Sequence, residues 1–149
     1  MDIKHLKPRK NGRFQQGYIN PNNCKKLFES VKNQPIIYRS SWERRFISWC
    51  ENCKKVKYWG SECICIKYHN PVDQKQHRYY PDFVVQLEDG TIMIVEIKPK
   101  NQTQIPDCEN SWATKTYAVN SAKWSEIKKR CDEKGYKFCI LTEKTIAKL

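Results

Sequence analysis

The chain has 149 residues, 12% of them aromatic, and carries 28 Lys+Arg against 16 Asp+Glu for a formal net charge of +12. That length fits one domain with a core of its own, and the charge points to a polyanionic partner, nucleic acid above all. No run of about 18 apolar residues is present to span a membrane and no secretory apolar region follows Met1, so a cytoplasmic location is expected.

Residues 1–20 read as a basic arm and residues 21–149 as the folded domain. The arm holds Lys4, Lys7, Arg9, Lys10 and Arg13 among polar residues, Pro8 and two glycines, with no core pattern. Lys7, Arg9, Lys10 and Arg13 are candidate DNA contacts, and Phe14, Tyr18 and Ile19 are candidate anchors onto the body of the protein. Asn20-Pro21-Asn22-Asn23 reads as a turn into a short helix near Cys24 to Lys32, closed by Pro35.

Ser40 or Ser41 is a good N-cap for a helix from about Trp42 to Cys53. Trp42, Phe46, Trp49 and Cys53 recur at helical spacing and are expected to face the core. Glu43 follows Ser40 by three residues, which fits a capping box. Lys54 to Trp59 reads as a strand, Gly60-Ser61 as a turn and Glu62 to Tyr68 as a second strand stopped by His69-Asn70-Pro71. Val72 to His77 reads as a polar hairpin loop.

There are eight cysteines: Cys24, Cys50, Cys53, Cys63, Cys65, Cys108, Cys131 and Cys139. A cytosolic compartment argues against a disulfide framework. Cys50-x-x-Cys53 has the spacing of a zinc ligand pair, but Cys63-x-Cys65 is one residue short. Cys63 and Cys65 alternate with Ile64 and Ile66 as small residues on a strand face do, so free thiols are expected in place of zinc.

The most informative stretch runs from Tyr80-Pro81-Asp82 to Glu96-Ile97-Lys98. Two apolar strands flank a tight turn at Glu88-Asp89-Gly90. A three-residue loop sets Leu87 opposite Thr91, Asp82 across from Glu96, and Lys98 on the same face. Carboxylates about 5 Å apart at Cβ repel one another unless a cation lies between them. A hard divalent cation with oxygen ligands answers that repulsion, and an adjacent lysine suits an anionic substrate, which together make the chemistry of phosphodiester cleavage. The plainer reading is that Asp82 and Glu96 merely end their strands in solvent. Both faces of the hairpin are largely apolar, so it should be central and covered on each side. Arg78, His77 and Lys100 flank the mouth of this region as candidate phosphate contacts.

Beyond the hairpin, residues 99–106 form a loop, and Ser111 to Lys134 reads as one or two helices with Gly135 at the C-cap. Tyr136 to Leu141 reads as a last strand and Thr142 to Leu149 as a short helix. The fold class is α/β, a mixed central sheet flanked by helices, preceded by the basic N-terminal arm.

Pro81-Asp82, the hairpin gap and Glu96-Ile97-Lys98 resemble the signature of the PD-(D/E)XK nucleases. Glu43, within Ser40-Ser41-Trp42-Glu43-Arg44-Arg45-Phe46, resembles the first-helix glutamate of their TnsA-like branch. The run from Trp124 to Glu143 is also similar, so the resemblance covers roughly residues 36–145. Size, basic N-terminus and core together resemble the head completion nucleases of T-even-type tailed phages. The resemblance implies a restriction-endonuclease-like core and a DNA endonuclease using Mg²⁺ or Mn²⁺. It implies Asp82, Glu96 and the Ile97 carbonyl as metal ligands, with Glu43 binding directly or through water and Lys98 acting on the attacking water or the transition state. It further implies DNA, phage capsid or portal and other head completion proteins as partners. A homodimer able to cut both strands is implied too, at work in the host cytoplasm or associated with the virion. A second class is a non-catalytic DNA-binding or capsid-interaction protein on the same fold. Intact Asp82, Glu96 and Lys98 favour the enzyme.

Overall fold

The computed structural model describes residues 16–106 and 111–149. Lys7, Arg9, Lys10, Arg13 and Phe14 of the arm, and Cys108, lie outside the described residues. The first element, β1 (Gly17–Ile19), pairs antiparallel with β2 (Ile36–Tyr38). Ile19 packs against the core, whereas Tyr18 is 57% exposed, so Ile19 and the backbone ladder hold this segment down. The helix expected near Cys24 to Lys32 does not form. Two short 3₁₀ turns, Pro21–Asn23 and Glu29–Val31, flank an extended stretch. The reason is main-chain pairing: Trp59 N–H donates to the Lys26 carbonyl at 2.9 Å, and Phe28 N–H donates to the Trp59 carbonyl at 3.0 Å. Backbone groups committed to a strand edge cannot also close helical turns.

Helix α1 (Ser41–Asn52) starts at Ser40, whose hydroxyl accepts from the Glu43 N–H at 3.2 Å. Its buried stripe is Phe46, Ile47 and Cys50, with Trp42, Trp49 and Cys53 packing at the margin of the same core. Strand β3 (Val56–Ser61) continues through Gly60-Ser61, where a turn is expected from sequence. The chain bends one residue later, at Glu62, which takes a left-handed φ of 48°. Gly60 permits this bend because a Cβ there would lie 2.8 Å from the Cys63 sulfur and 3.2 Å from the Phe28 ring. Gly60→Ala is accordingly expected to destabilise the fold by about 1–3 kcal/mol, read as a lower urea midpoint at unchanged slope.

The expected strand from Glu62 begins only at Ile66, so Cys63 and Cys65 do not alternate on a strand face; Cys63 packs on the core and Cys65 is exposed. Strand β4 (Ile66–His69) pairs with β5 (Gln76–Tyr79), and part of β5 was expected to be loop. The remaining elements are β6 (Phe83–Leu87), β7 (Ile92–Ile97), α2 (Ser111–Lys134), β8 (Lys137–Leu141) and α3 (Glu143–Ile146). A 3₁₀ turn, Lys100–Thr103, lies between β7 and α2. Gly135, with φ 73°, ends α2, and the Tyr136 N–H then donates to the Cys131 carbonyl at 2.8 Å.

The central sheet has the order β3-β6-β7-β8, antiparallel in its first two pairings and parallel between β7 and β8. Alternation in the hairpin divides its side chains between two cores. Phe83, Val85, Val95 and Ile97 pack with Phe46, Ile47 and Cys50 of α1 and Ile146 of α3. On the other face Ile94 packs with Ile127 and Cys131 of α2 and with Tyr68 and Tyr79 of the β4–β5 sheet. The molecule is therefore a mixed α/β fold with helices on both faces of a mixed sheet. No helix among the described residues is long and apolar enough to cross a membrane.

Candidate active site

The β6–β7 register is Phe83 with Val95, Val84 with Ile94, Val85 with Met93 and Gln86 with Ile92. Leu87 N–H donates to the Thr91 carbonyl at 2.8 Å, and Gly90 takes φ 89°, so the loop is the three residues expected. Carried one step beyond the ladder, that register sets Asp82 across from Glu96. Pro81, fully buried, precedes Asp82, and the Asp82 Oδ2 accepts from the Ile97 N–H at 2.7 Å. Glu96 is 4% exposed, and the hydroxyl of Tyr79 donates to its Oε2. Lys98 Nζ lies 3.9 Å from Glu96 Oε1. The carboxyl of Glu43, at the first turn of α1, accepts from the Arg39 N–H at 2.6 Å. It therefore serves as a cap, yet it also feels the Asp82 charge.

Burial, with Asp82 nearby, pushes the Glu96 carboxyl up to about 8 from an ordinary 4.5. Burial and Asp82 do the same to Glu43, also to about 8. Asp82 rises to about 6 through burial, partly offset by the Ile97 N–H and the Lys98 charge. Burial and Glu96 hold the Tyr79 hydroxyl protonated, far above its usual range. These carboxyls are thus too proton-hungry for three separate anions in a dry site. Between pH 4.5 and 8 the folded metal-free chain binds more protons than the unfolded chain, so its stability falls as pH rises across that window. A decline in Tm from pH 5 to pH 8 in a chelating buffer is expected, and a flat or rising Tm would show these carboxyls to be ionised in the fold.

An open cavity of about 320 Å³ lies over this pair, lined by Asp82, Glu96, Lys98, Arg78, Tyr79 and Tyr80, and beyond them by Arg39, Glu62 and Lys123. Of the expected phosphate contacts, Arg78 lines it. His77 does not: it pairs with Asp73 at 2.5 Å in the β4–β5 hairpin. Nor does Lys100, whose N–H donates to Glu143 at 2.8 Å. Five lining residues, Arg39, Glu62, Tyr79, Tyr80 and Lys123, are not singled out by the sequence as site residues. Arg39 and Glu62 form a two-contact ion pair, Nε to Oε1 at 2.8 Å and Nη2 to Oε2 at 3.3 Å. Tyr79 and Lys123 lie beside the carboxylate pair, from β5 and α2. Burial and the nearby Lys98 charge lower the Lys123 ammonium.

The donor set around Asp82 and Glu96 is all oxygen. Among the described residues no three His, Cys, Asp or Glu side chains converge on one metal-sized position. Two carboxylates and a main-chain carbonyl, leaving other positions for water and substrate oxygen, are nonetheless a set that a hard divalent cation accepts. Burial, and for Glu96 the Asp82 charge, raises the proton affinity of these carboxyls despite the nearby lysines, and a divalent cation between them would offset that cost, so the residues fit such an ion.

A family model for the TnsA-like endonuclease N-terminal region matches residues 53–143. The match takes in Asp82, Glu96, Lys98 and Lys123 and leaves Glu43 outside. The head completion nuclease of Enterobacteria phage T4 is 35% identical over 118 residues, covering 72% of this chain and 79% of that protein. The chain belongs to the TnsA-like endonuclease family.

Proposed function

Starting from membership of the TnsA-like endonuclease family, we propose that this chain is a divalent-metal-dependent DNA endonuclease of the PD-(D/E)XK type, processing DNA in phage head completion. The observation that carries the reading is the placement of Asp82 across from Glu96 with both carboxyls raised in proton affinity. Bound by Asp82, Glu96 and the Ile97 carbonyl, with Glu43 direct or through water, Mg²⁺ or Mn²⁺ would polarise a phosphate oxygen and acidify a water.

The protein's own groups do the rest. The Ile97 N–H fixes one oxygen of Asp82 and leaves the other as a donor. Tyr79 fixes one oxygen of Glu96 in the same way. Lys98, drawn toward Glu96, can orient the attacking water or offset charge gathering on the phosphate. Arg78 at the rim supplies a further positive contact for the backbone. The N-terminal cations Lys7, Arg9, Lys10 and Arg13 would add affinity without chemistry, and pairing of two copies would let both strands be cut.

Supercoiled plasmid incubated with Mg²⁺ should be nicked, and a chelator should stop it. DNA binding without nicking in Mg²⁺ or Mn²⁺ would leave the second reading, a non-catalytic DNA-binding or capsid-interaction protein on a nuclease fold.

A further inference from the structure

Lys123 lies in the middle of α2, a helix whose exposed lysines ordinarily extend into water. This one does not. It lines the cavity with Asp82, Glu96 and Lys98. Its Nζ stands 5.4 Å from the centre of the Tyr79 ring and 5.8 Å from that of Tyr68. Two aromatic faces hold an ammonium through their negative quadrupoles without neutralising it. Two other cations lining the cavity have carboxylate partners: Arg39 pairs with Glu62, and Lys98 leans on Glu96. No ion pair among the described residues includes Lys123. A partly desolvated ammonium facing an open cavity calls for an anion there, and the cavity is wide enough to take one.

We propose that Lys123 binds a non-bridging oxygen of a DNA phosphodiester in this cavity, with Tyr68 and Tyr79 as the platform that aims it. Lys123 and Lys98 approach from different elements, α2 and the end of β7, so together they would grip one phosphate from two sides of the carboxylate pair. Tyr79 couples the two halves, since its ring supports Lys123 and its hydroxyl holds Glu96. The cleavage part of this role rests on the nuclease reading; the phosphate contact does not.

The test uses the full chain with Lys123→Met, which keeps most of the apolar stem, and Lys123→Arg, which keeps the charge. Binding of a short DNA duplex is titrated in chelating buffer over a salt series, and plasmid nicking is measured in parallel. One lost phosphate contact should flatten the slope of log K against log salt by about 0.9 in Lys123→Met and leave it near wild type in Lys123→Arg. Nicking kcat/KM by Lys123→Met should fall at least tenfold. An unchanged slope in Lys123→Met, with wild-type nicking intact, overturns the phosphate contact and spares the nuclease reading. A flattened slope in a wild-type background that never nicks DNA upholds the contact and removes the enzyme. Should Lys123→Met fail to fold by circular dichroism, Lys123→Gln takes its place with the same expected slope.

Discussion

Alanine at Asp82 or at Glu96 is expected to lower plasmid nicking on the order of a thousandfold, a loss of roughly 4 kcal/mol of transition-state stabilisation, with the fold retained. Asp82 stands just before β6, and Glu96 lies inside β7 with its carboxyl buried against the Tyr79 hydroxyl; burial makes the ionised form of each costly in the metal-free fold. Stability in chelating buffer at pH 8 should therefore hold or rise in Glu96→Ala, since the ionised carboxylate is the costly form there. Lys98→Ala should also depress turnover but leave calorimetric Mg²⁺ binding measurable, because a lysine contributes no ligand. Glu43→Gln keeps an acceptor for the Arg39 N–H and so separates capping from catalysis. Near-normal nicking would leave Glu43 as a cap alone. Full activity in Asp82→Ala would end the assignment of catalysis to this hairpin.

The largest structural effect is expected from Phe46→Ala. Phe46 stacks on Trp49 at 5.5 Å within α1 and meets the Phe83 ring at 4.8 Å across to β6. It joins the helix that carries Glu43 in its first turn to the strand that follows Asp82. Truncation removes a fully buried ring and leaves a void that α1 can close only by moving, a loss of about 3–5 kcal/mol. Against total stabilities of about 5–15 kcal/mol this should bring the midpoint of urea unfolding down sharply or leave the chain unfolded. Phe46→Leu should recover much of the loss. A Phe46→Ala chain as stable as wild type would mean that α1 is not anchored through this ring.

The hairpin was the most legible part of the sequence. Turn residues at Asp89-Gly90 and strict alternation fix a register, and a register places Asp82 and Glu96 without knowledge of anything else. The start of α1 was equally plain, because Ser40 and Glu43 make a local cap. The faces of β6 and β7 came out as alternation requires. What escaped was set by distant contacts. The stretch near Cys24 to Lys32 looks helical until Trp59 claims its main-chain groups. Strand β5, Gln76-His77-Arg78-Tyr79, carries one buried residue and three exposed or half-buried polar ones, so its first two residues read as the end of a polar loop; pairing with β4 makes them strand. Lys123 sits in a polar helical pattern indistinguishable from a solvated face. Only the packing of α2 against Tyr68 and Tyr79 turns it inward. Arg39 and Glu62 are far apart in sequence and meet only because the chain reverses at Glu62.

The parallel pairing of β7 with β8 has a bearing on the order in which this site comes into being. The two carboxylates share a hairpin, whose short loop closes in microseconds. The burial that makes Glu96 hold its proton needs Tyr79 in place and the face of β7 covered, and α2 can cover it only once β8 has docked beside β7 across a crossover that contains the whole of that helix. Such non-local closure is the slow part of folding. A nascent chain is thus expected to pass through a stage with the acids already opposed but still titrating like acids in water. A refolding rate that varies with pH between 5 and 8, tracking the proton uptake of Glu96, would reveal the moment at which the hairpin becomes a site.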